Sequence, residues 1–125
     1  MSDFAKIEAM MQAYFANLHD GDASKIDDLF LPECDLCCAN EDGTYTHMSL
    51  SDYKSLVSQR QSPASNGYPV YGHIVSIDQS GPNTAFAKVD CAVQPKYFTD
   101  YLSLTKVDGS WKIAAKVYYV KRIES

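Results

Sequence analysis

The sequence has no basic cluster, no long apolar run and no completed set of metal ligands, and each gap removes a class of function. Lys and Arg number 11 against 16 Asp and Glu, for a formal net charge of −5. The cations are scattered, and an acidic surface does not attract a phosphate backbone, so no nucleic-acid partner is expected. No apolar stretch approaches the roughly 20 residues that span a bilayer. The start, Met1-Ser2-Asp3-Phe4, has neither the basic nor the apolar part of a secretion signal. The expectation is a cytoplasmic protein with no membrane partner. A phosphate-cradling glycine loop, a Gly-x-Ser-x-Gly elbow and a glycosidase-type carboxylate pair are all missing, and no cofactor is implied.

Cysteine is sparse, with 4 residues at positions 34, 37, 38 and 91. In a reducing compartment these are free thiols. Cys34-Asp35-Leu36-Cys37 has the spacing of a metal knuckle, but the segment reads as an extended strand, where residues three apart face opposite sides. No second pair and no histidine pair completes a four-ligand site, so no metal is expected.

What is present is enough for a core. The 125 residues fit one domain, 1–125, and 46% of them are hydrophobic with 22% charged, close to the globular average. Phe4, Ile7, Met11, Tyr14, Phe15 and Leu18 fall at helical spacing, with Ser2 or Asp3 as the cap and Gly21 as the stop. A short helix follows Asp22, carries Ile26, Leu29 and Phe30 inward and ends at Pro32. Cys34–Asn40 reads as a strand, Asp42-Gly43 as a hairpin turn, and Thr44–His47 as the return. Ser49 caps a third helix to about Arg60, with Asp52 in capping-box position and Met48 and Tyr53 flanking the cap. After a loop over 62–69, four long strands are expected: Val70–Gln79, Thr84–Val93, Tyr97–Val107 and Ser110–Arg122. Their alternation puts His73, Val75 and Ile77 on one face, with Ala85, Ala87, Val89 and Cys91, then Leu102 and Leu104, then Trp111, Ile113 and Ala115. Short turns between neighbours make the sheet antiparallel, and three N-terminal helices must cover one of its faces.

Two stretches resemble a known family. Tyr14-Phe15-Ala16-Asn17-Leu18-His19-Asp20-Gly21-Asp22 followed by Leu29-Phe30 looks like the opening signature of nuclear-transport-factor-2-like (NTF2-like) proteins. Phe98-Thr99-Asp100-Tyr101-Leu102-Ser103-Leu104 with Asp108-Gly109-Ser110-Trp111-Lys112-Ile113 looks like their closing hairpin. With Lys116 and Tyr118, the pattern is most similar to the SnoaL-like branch named for lumazine binding. The resemblance implies an α+β, cone-shaped fold, three N-terminal helices on a strongly curved antiparallel (mixed) sheet that encloses a pocket. It implies no particular activity, since the fold hosts isomerases such as ketosteroid isomerase, dehydratases such as scytalone dehydratase, cyclases and non-enzymes.

The polar groups expected at such a pocket are few. Tyr14 lies on the inner stripe of the first helix, where its hydroxyl serves either a packing contact or a ligand oxygen. Asp100 shares the face of Leu102 and Leu104, where burial disfavours the charged carboxylate. Both fall where ketosteroid isomerase carries its oxyanion-binding tyrosine and aspartate. Cys38 falls where that enzyme has its carboxylate base, and a thiol is a poor base near neutral pH, which argues against steroid-type isomerisation. His73 is either a satisfied core histidine or a proton donor or acceptor. Tyr53 closes the pocket from above, and Val75, Leu102 and Ile113 supply apolar wall. Asp90 and Lys116 read as a solvated or interface ion pair.

Three functions remain open. The first is binding of a small apolar or aromatic molecule. The second is a cofactor-free lyase or isomerase acting on an aromatic or polycyclic carbonyl compound, with Tyr14, His73 and Asp100 as catalytic residues. The third is an interaction domain with a vestigial pocket. Phe86, Tyr101, Tyr118 and Val120 lie opposite the core series, so a homodimer through the outer sheet face is expected.

Overall fold

A computed structural model describes residues 2–124. The order is α1 (Asp3–Asp20), a 3-10 turn (Ala23–Lys25), α2 (Ile26–Leu29), β1 (Phe30–Ala39), β2 (Tyr45–Ser49), α3 (Leu50–Gln59), β3 (Gly72–Ser80), β4 (Thr84–Val93), β5 (Lys96–Val107) and β6 (Ser110–Ile123). The strands form one open, six-stranded sheet in the order β2-β1-β6-β5-β4-β3. All neighbours are antiparallel except β1 and β6, which run parallel and make the sheet mixed.

Helix α1 starts where Ser2 Oγ accepts from Ala5 N–H, and ends at Gly21 in the left-handed conformation (φ 65) with its N–H on Asn17 O. Asp3 does not cap. Its carboxylate instead accepts from Lys106 Nζ (3.0 Å), Trp111 Nε1 (3.3 Å) and Gln79 Nε2 (3.2 Å), tying the helix start to β5, β6 and β3. Helix α3 begins under Ser49, whose Oγ accepts from Asp52 N–H at 3.1 Å. The β5–β6 turn has positive φ at both Asp108 (51) and Gly109 (81), the conformation that a two-residue hairpin loop needs.

The buried faces of α1, α2 and α3 meet the inner face of the sheet. Ile7, Met11, Tyr14, Ile26, Phe30, Leu36, Val89, Leu102, Leu104 and Ile113 are the centre of this core. Gly72, at the start of β3, lies so close to Phe15 that an added Cβ would stand 2.2 Å from the ring. Only a residue without a side chain lets β3 approach α1 there.

Three β-bulges decide which side chains point inward. In β3, Ile74 opposes Val89 and Ser76 opposes Lys88, which leaves Val75 as the extra residue. The inward residues of β3 are therefore Ile74 and Ile77, not His73 and Val75, which are exposed. In β6, Ile113 opposes Leu104 and Ala115 opposes Ser103, so Ala114 is extra. Beyond it the inward parity changes from Trp111 and Ile113 to Lys116, Tyr118 and Val120. A third bulge at Lys121 follows, between the Val120–Phe98 and Arg122–Tyr97 pairs. The edge is also irregular between Phe30 and Asp35, where β1 takes more residues than β6 to cover the same span. Pro32, which has no N–H to give to a ladder, sits in that stretch. The second helix consequently stops at Leu29, and the strand begins at Phe30, earlier than its composition suggested.

Candidate functional site

Between α3, the end of α1 and the inner face of β1, β2 and β4–β6 lies a cavity of about 540 Å3. That size suits a small organic molecule. Leu18, Leu36, Met48, Val93, Phe98 and Val120 give it apolar walls, and Tyr53 and Tyr118 give it aromatic ones. Its mouth is marked by Asn40, Arg60, Gln61 and Lys96. Met48 and Tyr53, on either side of the α3 cap, both reach the cavity because the helix start is fixed by Ser49.

The cavity floor carries a buried polar cluster. Tyr14 O–H donates to Asp100 Oδ2 at 2.6 Å, and Cys91 S–H donates to the same oxygen at 3.0 Å. Lys116 Nζ faces that oxygen at 3.5 Å, an ion pair between side chains that are only 8% and 1% exposed. Adjacent strands produce this convergence: Asp100 opposes Tyr118 across the β5–β6 ladder and Leu102 opposes Lys116, so Asp100 and Lys116 are diagonal neighbours on one face. Cys91 follows on β4, and Tyr14 reaches down from α1. Three aromatic faces surround the ammonium, with ring centroids 5.4 Å (Tyr14), 5.2 Å (Tyr53) and 5.6 Å (Tyr118) from Nζ. Each face presents negative quadrupole density to the cation.

Burial and charge set the protonation of this cluster. For Lys116, burial pulls the ammonium pKa down, but attraction to Asp100, joined by Tyr53 and Cys91, outweighs it and the net direction is up. Lys116 is therefore a fixed cation rather than a free amine. Tyr14 is pushed well above its ordinary value, first by burial and then by the Asp100 charge. Cys91 moves the same way for the same two reasons, so both remain donors near neutral pH.

Asp100 Oδ2 is saturated by these donors, whereas Asp100 Oδ1 is buried with no hydrogen-bond partner among the described residues. An acceptor left in this state costs roughly 1–3 kcal/mol. Asp100 is itself among the residues that line the cavity, and the Lys116 ammonium stands beside it.

The residues expected from sequence divide into three groups. Tyr14, Tyr53 and Asp100 come together, with Tyr14 behind Asp100 and the other two on the cavity surface. Tyr14 O–H donates its hydrogen bond to Asp100, not to a ligand oxygen as in the oxyanion-binding pair of ketosteroid isomerase. Cys38 is buried and faces inward beside the lining residues Leu36 and Asn40, with its thiol directed at Asn40 Oδ1 (3.6 Å). Leu102 and Ile113 are wholly buried core beneath the site and are not among the residues lining the cavity. His73 and Val75 lie on the exposed side of β3, away from the cavity, because of the Val75 bulge. Sequence parity missed Lys116 and Tyr118. Asp90 instead pairs with Lys121 at 3.6 Å and accepts from Thr99 Oγ1 at 2.8 Å. One signal was available: Ile113 and Tyr118, both large and apolar, are an odd number of residues apart, so a single flat strand cannot bury both.

Among the cysteines, Cys34 and Cys38 face inward from β1 and Cys37 faces the other way. Among the described residues, no three His, Cys, Asp or Glu side chains cluster as metal ligands would. Among the described residues, no helix is long and apolar enough to cross a membrane.

The geometry fits what comparison with known proteins shows. The profile of the family described as "Putative lumazine-binding" matches residues 2–119. The chain belongs to this family. It is similar over most of its length to Aldolase FrzH from Cladobotryum sp, at 25% identity over 120 residues, covering 94% of this chain and 91% of that protein. Among solved structures, an NTF2-like protein of unknown function from Shewanella baltica OS155 superposes with TM-score 0.83 at 20% identity, covering 96% of this chain and 94% of that one. An NTF-2-like protein of unknown function from Silicibacter pomeroyi DSS-3 gives TM-score 0.77 at 20% identity, with 94% and 95% covered. At such identities the structures establish the NTF2-like fold and nothing of the family's chemistry in this chain.

Proposed function

We propose that this protein binds a small, flat aromatic or bicyclic heteroaromatic molecule in the cavity beside Asp100 and Lys116. The unpartnered, buried Asp100 Oδ1 carries the reading, because Asp100 lines the cavity and a donor arriving from there would recover the free energy left unspent. Apolar and aromatic walls with a few convergent polar groups are the usual make-up of a small-molecule site. A bicyclic imide such as lumazine, the compound in the family's description, offers N–H donors for Asp100 and carbonyl oxygens for Lys116. Lumazine and related bicyclic heteroaromatics are expected to raise the melting temperature, with stabilisation of about 2.7 kcal/mol at a hundredfold excess over Kd. Lys116→Met, which keeps the volume and removes the cation, is expected to abolish that shift. A folded wild-type protein whose melting temperature no such compound moves would leave the cavity vestigial and sink the reading.

A second reading is favoured by the same ammonium together with the likeness to Aldolase FrzH. A buried cation polarises a carbonyl, and a carboxylate oxygen with a free lone pair accepts a proton, the two groups that a cofactor-free lyase acting on an aromatic carbonyl compound needs. Turnover of aromatic β-hydroxy ketones, followed by NMR, separates the two readings.

Self-association belongs to the proposal as well. The outer face of the sheet carries Phe86, Tyr101, Val117 and Tyr119, the last three 41%, 49% and 43% exposed. Tyr118 and Val120, expected on this face, belong to the cavity instead. An apolar patch of this kind is ordinarily covered by a second copy. Light scattering at micromolar concentration that returned a mass near 13.9 kDa would exclude the dimer.

A further inference from the structure

The charge of the cavity runs against that of the chain. The protein carries a formal net charge of −5, yet the ionised side chains lining the cavity are Arg60, Lys96 and Lys116 against Asp100 alone. Asp100 is engaged by Lys116. Arg60 is half-buried at the end of α3, its guanidinium 5.9 Å over the face of Tyr53, another lining residue. No carboxylate among the described residues lies within ion-pair distance of it. Arg60 and Lys116 share one neighbour in the cavity wall, the ring of Tyr53, whose centroid lies 5.9 Å from the guanidinium and 5.2 Å from the ammonium. Three like charges held beside a common space, two of them without an ion-pair partner among the described residues, favour an anion in that space. A guanidinium is the group whose planar fork best matches a carboxylate.

We propose that the cavity selects a two-ended aromatic anion: a carboxylate that meets Arg60 at the mouth, and a hydrogen-bond donor that meets Asp100 Oδ1 at the floor. This rests on the reading of the cavity as a binding site and adds the charge, the polarity and the orientation of what enters it. The apolar walls between the two ends, Leu36, Met48, Phe98 and Val120, accept the aromatic body. The orientation follows from the charges, since the carboxylate is repelled by Asp100 and drawn to the uncompensated guanidinium.

The test uses four naphthalenes that vary the two ends independently: 6-hydroxy-2-naphthoate, 2-naphthoate, 6-hydroxy-2-naphthamide and 2-naphthamide. Their affinities for the full chain and for Arg60→Gln are measured by calorimetry at neutral pH and low salt. The hydroxynaphthoate is expected to bind about tenfold or more tightly than its amide, the range a charge-assisted contact gives. Arg60→Gln, at a partly exposed helix end, is expected to erase that preference and bring acid and amide to similar affinities. Removing the 6-hydroxyl is expected to weaken binding of acid and amide by the same factor. Amides binding as well as acids, or a preference that survives Arg60→Gln, would overturn this inference while the binding site itself stands. No binding of any of the four up to millimolar concentration, with the protein shown to be folded, would overturn both.

Discussion

Asp100→Ala is expected to cost about 3–5 kcal/mol of folding stability, because it leaves the Lys116 ammonium buried without its counter-charge. It also deprives Tyr14 and Cys91 of their common acceptor. For a domain whose whole stability is of order 5–15 kcal/mol, that approaches unfolding at ambient temperature. The partner experiment discriminates pairing from mere packing. Asp100→Leu combined with Lys116→Met removes both charges while keeping apolar volume, and is expected to recover most of the loss, since a buried pair replaced by hydrophobic residues is often neutral or stabilising. The double variant should nevertheless fail to bind any ligand that stabilises the wild type. Chemical denaturation of Asp100→Leu, Lys116→Met and the double variant closes the cycle. If the double variant is no more stable than Asp100→Ala, the pair does not carry the cost assigned to it. If it still binds ligand, the cluster is not the site.

Alkaline pH is expected to unfold the protein steeply from about pH 9. Cys34 is raised from 9.0 to about 11, with burial the largest cause. Cys91 lies well above 9.0 and Tyr14 well above 10.0, again chiefly through burial. Below pH 8 the folded and unfolded chains hold the same protons at these groups, so none of them makes stability depend on pH. Above the ordinary thiol value the unfolded chain releases protons that the folded chain retains, and stability then falls by about 1.4 kcal/mol per pH unit for each such proton. Two thiols act from about pH 9 and Tyr14 adds to them above 10. Lys116, whose folded value is raised above 10.5, has the same sign: its contribution is complete below that value and is lost only at still higher pH. Denaturation curves at pH 7–11 under reducing conditions should show this slope, and Cys91→Ala should lessen it by one proton. A stability that stays level across that range would refute the burial of these groups. The acid side behaves oppositely. Asp3, lowered first by its hydrogen bond from Lys106, contributes stability above the ordinary carboxylate value of 3.8 that is lost as the pH falls through its folded value.

The amino-acid sequence by itself determined the elements and their order. Ser2, Gly21 and Ser49 bound their helices through local hydrogen bonds or a positive φ, and Asp108-Gly109 turned the last hairpin, all interactions within a few residues of chain. The core strand positions Ala85–Cys91 and Leu102–Leu104 followed from period-two alternation because β4 and β5 pair without interruption across those stretches. The family resemblance was legible for the same reason, being carried by helix ends and turns. Tertiary structure alone decided which polar groups share the cavity. Each bulge inserts one residue and reverses every later side chain of its strand, and nothing in a local stretch of sequence specifies where the opposing strand will leave a residue unpaired. The extra residue at Val75 put His73 on the face opposite Ile77, and the one at Ala114 turned Lys116 and Tyr118 inward. Alternation opposite the Trp111–Ile113 series made Lys116 read as part of a solvated or interface ion pair, and lysine is rarely buried. It is buried here because Asp100, 16 positions earlier but diagonal to it across the β5–β6 ladder, supplies the opposite charge, and because Tyr14, Tyr53 and Tyr118 from three different elements close around it.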